Sequence, residues 1–242
     1  MVDHVGGDDS RQARRGAFIL FEGVDRCGKT TQANLLVENL NQAGRDACLM
    51  RFPDRTTPIG QLINAFLQKT ADIDDRCVHL LFSANRWEAE SKIRERLKAG
   101  TTVVCDRYAY SGVAFSASKP GLELGWCKDP DRGLPAPDTV LFLDICVEDA
   151  MKRGQFGKER YEKEEFQRTV RATFLSLMEE DKARTAFLVN GVHWKMLDAT
   201  RSIKSIQDEI IEVATSAIEC VKGKEISPLW PALPEKGLVE SD

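Results

Sequence analysis

The sequence predicts an α/β fold in which a five-stranded parallel sheet is flanked by helices. Three observations predict it. Apolar runs with β-branched residues recur at Ala17 to Phe21, Ala47 to Arg51, Thr101 to Cys105 and Thr139 to Ile145, and near-continuous apolar strands belong to sheets covered on both faces. Helical patterns separate the runs, as a parallel sheet requires. Charged residues cluster just after each run, where open parallel sheets bind ligands.

The first run ends at Glu22 and leads into Gly23-Val24-Asp25-Arg26-Cys27-Gly28-Lys29-Thr30-Thr31. The helical pattern Gln32 to Leu40 follows. The second run ends in Arg51-Phe52-Pro53-Asp54-Arg55, and Asp75 to Ala99 then reads as helix. Asp106-Arg107-Tyr108 follows the third run, and the fourth ends near Asp144, before Arg153. Glu162 to Met178 places Phe166, Val170, Phe174 and Leu177 on one helical face. Trp194 to Leu197 is the expected fifth strand, with Ala186-Phe187-Leu188-Val189 as its competitor. A last helix carries Ile203, Ile206, Ile210, Val213 and Ala217 at helical spacing.

The organisation reads as a polar lead-in over 1–15, expected to be disordered, one domain over 16–222 and a tail over 223–242. Pro228, Pro231 and Pro234 mark the tail as loose. The chain of 242 residues is long enough to bury a full core as one domain. A hydrophobic share of 42% with 30% charged residues is that of a soluble globular protein. The net charge of −4 argues against a nucleic-acid partner, whose backbone calls for a basic footprint. No apolar run is long enough to span a bilayer, which argues against a membrane partner. Arg11, Arg14 and Arg15 stand among Asp3, Asp8 and Asp9, which spoils an import peptide. Seven cysteines without C-x-x-C spacing fit reduced thiols in the cytosol. The expected location is therefore cytoplasmic, with the nucleus as the alternative. Cys27, at a helix start, is the thiol whose ionisation is favoured. His4, His79 and His193 are scattered and give no metal site built from side chains alone.

The spacing G-x-x-x-x-G-K-T at Gly23 to Thr30 marks a phosphate-binding loop. Glycine permits the dihedrals that turn several backbone N–H groups toward one anion, and the helix start at Gly28 adds free amides and the positive end of its dipole. Lys29 can reach the β- and γ-phosphates, and the Thr30 hydroxyl can take a place on Mg²⁺. Arg26, Lys29, Arg55, Arg107 and Arg153 gather at the expected rim, with no histidine among them. Phosphoryl transfer to a phosphate needs positioned cations more than a base, because that acceptor is largely deprotonated near pH 7. The pattern favours a phosphate acceptor, although Asp25 or Asp106 could serve a hydroxyl.

Five blocks in order across residues 17–220 resemble thymidylate kinase of the eukaryotic type, with its arginine in the phosphate-binding loop. They are Phe21 to Gln32, Arg51 to Thr57, His79 to Glu88, Asp106 to Phe115 and Arg153 to Glu162. The resemblance implies a P-loop nucleoside monophosphate kinase fold and the ATP-dependent conversion of dTMP to dTDP in thymidine nucleotide synthesis, with Mg²⁺. It places ATP on Gly23, Arg26, Cys27, Gly28, Lys29, Thr30, Thr31, Arg153 and Arg201. It assigns the deoxyribose 3′-hydroxyl to Asp25, the bridge between donor and acceptor phosphates to Arg26, and the acceptor phosphate to Arg55 and Arg107. Asp106 would orient a water on a Mg²⁺ ion held by Thr30. Phe82 would stack on thymine and Arg86 would donate to its O4, where cytosine would present a competing donor. Phe52, Leu67, Gly112 and Phe115 would line the same pocket, Tyr161 would crowd the 2′ position, and Arg153 would pack on adenine from a lid over 152–164. A homodimer is also implied, with the helix expected over 75–99 as a candidate surface.

Several of these residues have a plainer reading. Phe82 and Trp87 could be core residues of a helix. The run with Lys152, Arg153, Lys158, Arg160 and Lys163 among Glu159, Glu162, Glu164 and Glu165 could be a solvated face, although Gly154 and Gly157 suit a mobile lid better. Asp106-Arg107 could be a surface ion pair. Among functions, another nucleoside monophosphate or deoxynucleoside kinase and a nucleotide-binding homologue without activity stand as alternatives.

Overall fold

Strands β1 (Phe18–Glu22), β2 (Ala47–Arg51), β3 (Thr102–Asp106), β4 (Thr139–Asp144) and β5 (His193–Asp198) pair in parallel in the order β2-β3-β1-β4-β5. The computed structural model describes residues 15–153, 157, 159–185 and 191–231. β1 is central and wholly buried. Its alternation sorts the core into two layers: Phe18 and Leu20 face one way with Val103, Phe142 and Phe174, while Ile19 and Phe21 face the other with Val104, Leu141 and Ile210. The register Phe21↔Asp106 and Glu22↔Phe142 brings the carboxyl ends of β3, β1 and β4 to one edge. Every candidate loop leaves from that edge.

The helices are α1 (Lys29–Gln42), α2 (Pro58–Leu67), α3 (Asp75–Trp87), α4 (Glu90–Lys98), α5 (Ala109–Ala117), α6 (Leu124–Lys128), α7 (Val147–Met151), α8 (Glu164–Thr185) and α9 (Ile203–Cys220). Local chemistry sets their starts. Thr57 caps α2 by accepting from the Gly60 amide at 3.0 Å, with Pro58 in the first turn, where its missing N–H costs nothing. Asp74 caps α3, and Ser202 caps α9 through the Ser205 amide at 3.1 Å. No side chain of its own caps α5.

The single helix expected over 75–99 is two helices, α3 and α4. They bury their stripes against different neighbours: α3 packs on α2 and α5, whereas α4 lays Ile93 and Leu97 against β3. Glu88 stands at the break and accepts from Asn85 Nδ2 at 3.2 Å and from Thr57 Oγ1 at 3.1 Å. The fifth strand lies at Trp194 to Leu197 as expected, pairing with β4 from Thr139↔His193 to Asp144↔Asp198. Its competitor Ala186 to Val189 lies outside the described residues, as do Gly154 and Lys158 of the expected lid.

The expected tail needs correcting over 223–231. Leu229 and Trp230 are buried, and residues 227–230 pair with the loop between α6 and β4 through Ala136 N to Ser227 O at 2.8 Å, Leu229 N to Leu134 O at 2.7 Å and Gly133 N to Leu229 O at 3.1 Å. Two large apolar side chains outweigh the loop-like composition. Arg15, read as part of the lead-in, forks onto Asp138 at 2.6 and 2.8 Å and donates to Lys224 O at 2.8 Å. Among the described residues no helix is long and apolar enough to cross a membrane.

Candidate active site

The sheet's carboxyl edge opens into two cavities, of about 760 and 630 Å³. They share Thr30 and Arg107, while Asp25 lines the larger and Arg26 the smaller. Consecutive loop residues thus serve different cavities. The loop achieves this with a residue of left-handed backbone, Arg26 at φ 62°, a conformation that costs an L-residue about 1 kcal/mol. Gly23, at φ 144°, lines neither cavity. A Cβ there would meet Leu143 O at 2.6 Å and Cys27 Sγ at 2.8 Å, so the glycine permits the loop's close approach to β4.

Cys27, Gly28, Lys29, Thr30, Thr31, Arg153 and Arg201 all line the smaller cavity beside Arg26. The Lys29 ammonium is buried and donates to Gly23 O at 3.0 Å and Val24 O at 2.7 Å. Arg153 donates to Cys27 O at 3.1 Å and Ala199 O at 2.5 Å, which joins the run after α7 to the loop after β5. Arg201 is held by Glu209 at 2.5 Å. Arg26 donates from Nε and Nη2 to Glu162 Oε1 at 3.0 and 2.8 Å, while Glu162 Oε2 accepts from the Gly157 amide at 2.9 Å. Arg153 and Glu162 of the charged run are therefore engaged with the phosphate-binding loop, while Lys152, Lys163, Glu164 and Glu165 are exposed.

Asp25, Phe52, Arg55, Leu67, Phe82, Arg86, Arg107, Gly112, Phe115 and Tyr161 all line the larger cavity. In the apolar wall Tyr161 packs on Phe115, ring centroids 5.6 Å apart, and is backed by the buried Phe66 of α2 at 5.9 Å. Burial pushes the Tyr161 phenol well above its ordinary range, so it stays protonated. Phe82 packs only partly against the small cluster of Ile63, Phe66, Leu67 and Val78, and Trp87 is exposed. Neither is a core residue of the main layers. Arg55 sits at the rim, donating to Asn64 Oδ1 at 2.9 Å and Glu159 Oε1 at 2.8 Å.

Arg86 is 2% exposed and forks onto the wholly buried Asp131 from Nε at 3.0 Å and Nη2 at 2.6 Å. A bidentate pair of this kind fixes the guanidinium plane. Gly112 does more than line the wall, because a Cβ there would lie 2.6 Å from Arg86 Nη2.

Arg107 pairs with Asp25, whose other oxygen accepts from Gln167 Nε2 at 2.7 Å. Burial works against the charge of Arg107, but the carboxylates of Asp25, Asp106 and Glu22 outweigh it and hold the guanidinium protonated. Asp106 does not pair with Arg107 at the surface: it is 2% exposed, its Oδ2 accepts from Thr30 Oγ1 at 2.6 Å and pairs with Arg51 Nε at 3.1 Å, and its Oδ1 is buried with no hydrogen-bond partner. His79 is fully buried and lines neither cavity. Burial lowers its pKa to about 4, so it is neutral, with Nδ1 2.8 Å from Ser116 Oγ.

Four residues of this arrangement were not picked out from the sequence as part of the site. Glu22 accepts from the Tyr108 and Ser111 amides, both at 3.0 Å, and from Ser111 Oγ at 2.5 Å, so it caps α5 from another strand. Burial raises its pKa to about 7, against the opposing hydrogen bonds of Ser111 and the charge of Arg107. Gln167 also accepts from the Asp25 amide at 3.0 Å. Asp131 and Ser111 complete the set. A polar residue on an apolar strand end, Glu22, and a glutamine on the apolar side of a charged helix, Gln167, were the available signals.

The family model for thymidylate kinase matches residues 21–210. The chain is 49% identical to human thymidylate kinase over 218 residues, 90% of this chain and 99% of that one. It is 46% identical to the thymidylate kinase of Arabidopsis thaliana over 217 residues, covering 89% of this chain and 78% of that one. Among solved structures, thymidylate kinase from Candida albicans superposes with a TM-score of 0.75 at 36% identity, covering 89% of this chain and 98% of the other. With a match that spans both cavities and relatives covered over most of their length, the chain belongs to the thymidylate kinase family.

Proposed function

We propose that this chain transfers the γ-phosphoryl group of ATP to dTMP, giving dTDP, with ATP in the smaller cavity and dTMP in the larger. The observation that carries this reading is the junction: two cavities meet at Thr30 and Arg107, and the loop between them turns Asp25 toward one and Arg26 toward the other. A phosphate oxygen of dTMP attacks the γ-phosphorus and ADP leaves. The loop amides and Lys29 hold the donor phosphates, Arg107 and Arg55 hold the acceptor phosphate, and Arg26 neutralises charge on the group in transit. Asp25 takes the 3′-hydroxyl, Phe82 and Arg86 take the base, and Arg153 with Arg201 borders the adenine. No base is required, because the acceptor phosphate is largely ionised near neutral pH.

Thr30 and Asp106 suit Mg²⁺. Their oxygens lie 2.6 Å apart, and the buried, unpartnered Asp106 Oδ1 is a hard acceptor of the kind that a metal-bound water satisfies. Thr30 would ligate the ion and Asp106 would hold its water, while the ion offsets charge on the β- and γ-phosphate oxygens.

The kinase unit, with its lid over 152–164, extends past 16–222 to Arg15 and to residues 227–230, which pack onto it. Leu62, Leu80 and Trp87, exposed by 53, 48 and 41%, offer a second copy an apolar patch on α2 and α3. All seven cysteines are free, which suits the reducing cytoplasm, or equally the nucleus.

ADP formation with ATP·Mg²⁺ against dTMP, dUMP, UMP, CMP and thymidine tests the reading. Turnover should be fastest with dTMP. Fastest turnover with CMP or with thymidine would overturn it.

A further inference from the structure

We infer that the C-terminal strap, residues 227–231, is a specificity-determining element that holds Arg86 in its base-reading position. The inference rests on the reading of Arg86 as the donor to thymine. Arg86 spends Nε and Nη2 on Asp131, so the direction of its remaining N–H groups follows the Asp131 carboxylate. Asp131 itself lies in a short 3-10 turn, Asp129–Asp131, at the head of a loop that runs to β4. That loop is pinned from one side by α3, where Ser83 Oγ donates to Asp131 Oδ1 at 2.8 Å and Trp87 Nε1 donates to Pro130 O at 2.7 Å.

Its other side is pinned by the strap. Besides the three backbone hydrogen bonds given above, Arg132 Nη1 donates to Trp230 O at 2.9 Å. Two of these bonds involve residues within two positions of Asp131. Trp230 then reaches the second wall around Arg86. Its indole meets the Tyr110 ring edge-on at 5.2 Å, and Tyr110 lies on α5 two residues before Gly112, the glycine that admits the Arg86 guanidinium. Trp230 is 4% exposed and has the Lys128 ammonium 5.5 Å from its ring. One residue thus braces both sides: its carbonyl holds the turn that aims Arg86, and its indole packs on the helix that gives Arg86 room. A guanidinium reads a base edge only while its plane is fixed, and a small misplacement is felt as lost substrate binding. A strap that only added stability would leave substrate selection unchanged.

The test is steady-state kinetics on the full chain, with thermal melting alongside. Trp230→Ala should raise KM for dTMP about tenfold and lower the preference for dTMP over dCMP in kcat/KM by a similar factor, with KM for ATP and kcat within about twofold. Asp131→Asn should give the same signature more strongly, and Trp230→Ala combined with it should add little, since the two act through one group. Arg132 has a half-exposed side chain, so Arg132→Ala keeps the test open if Trp230→Ala does not fold. It should shift the same two quantities about threefold. A lower melting temperature with unchanged KM for dTMP and unchanged preference would overturn the inference, as would effects of Trp230→Ala and Asp131→Asn that multiply. An Arg86→Met variant with unchanged dTMP kinetics would instead refute the reading of Arg86 on which the inference stands.

Discussion

The two cavities are built on different principles. Half of the smaller one's lining is one continuous stretch, Arg26 to Gln32, in which backbone amides, one lysine and a helix start supply what a phosphate chain needs. The larger draws on α2, α3, α5, three strand ends and Tyr161, and three of its charged groups are aimed by partners from elsewhere: Asp131 for Arg86, Gln167 for Asp25, Asp25 for Arg107. The difference teaches where each half is vulnerable. On the proposed assignment of ATP to the smaller cavity and dTMP to the larger, donor binding should tolerate more side-chain changes than acceptor binding, which should fail when either member of a pair moves.

Breaking the comparison at its junction should have the largest effect. Arg26→Ala should lower kcat by roughly a hundred- to a thousandfold with little change in KM for dTMP, because the guanidinium is used on charge in transit. An equal loss confined to KM, measured by steady-state kinetics, would make Arg26 a ground-state contact. The acceptor half should be next in sensitivity. Gly112→Ala places a methyl 2.6 Å from Arg86 Nη2 and should raise KM for dTMP about tenfold while KM for ATP stays constant. Unchanged KM for dTMP would show that the guanidinium can give way.

Glu22 offers the smallest and most specific effect, on stability. Its carboxyl ionises near 4.5 when unfolded and near about 7 when folded, so the folded chain holds an extra proton between those values and loses stability as pH rises through that window. Glu22→Gln keeps an acceptor for the Tyr108 and Ser111 amides and removes the titration. Chemical denaturation at pH 5 and pH 8 should show the wild type losing up to about 3 kcal/mol more than this variant across the range. Parallel pH dependence would place the ionisation outside the window.

The same contrast governs what could be read from the chain. The phosphate-binding loop is legible because its parts are neighbours in sequence, and the strands because their burial leaves apolar runs. The residues that the resemblance assigns to the acceptor all line the larger cavity. What stayed hidden are the partners that aim them: Gln167 is 142 positions from Asp25, and Asp131 is 45 from Arg86. No spacing encodes such pairs, because the fold alone brings them together. The break between α3 and α4 was hidden for a related reason. Glu88 and Ala89 continue the helical composition, and the interruption comes from two stripes that bury against different neighbours. The tail misled through its prolines, when Leu229 and Trp230 carried the informative signal.

The central claim is that one loop grips both substrates through adjacent residues. Calorimetric binding of dTMP and of ATP to Asp25→Asn tests it most directly. The account expects dTMP affinity to fall about tenfold and ATP affinity to stay unchanged. Unchanged dTMP affinity, or a loss that falls on ATP instead, would contradict it.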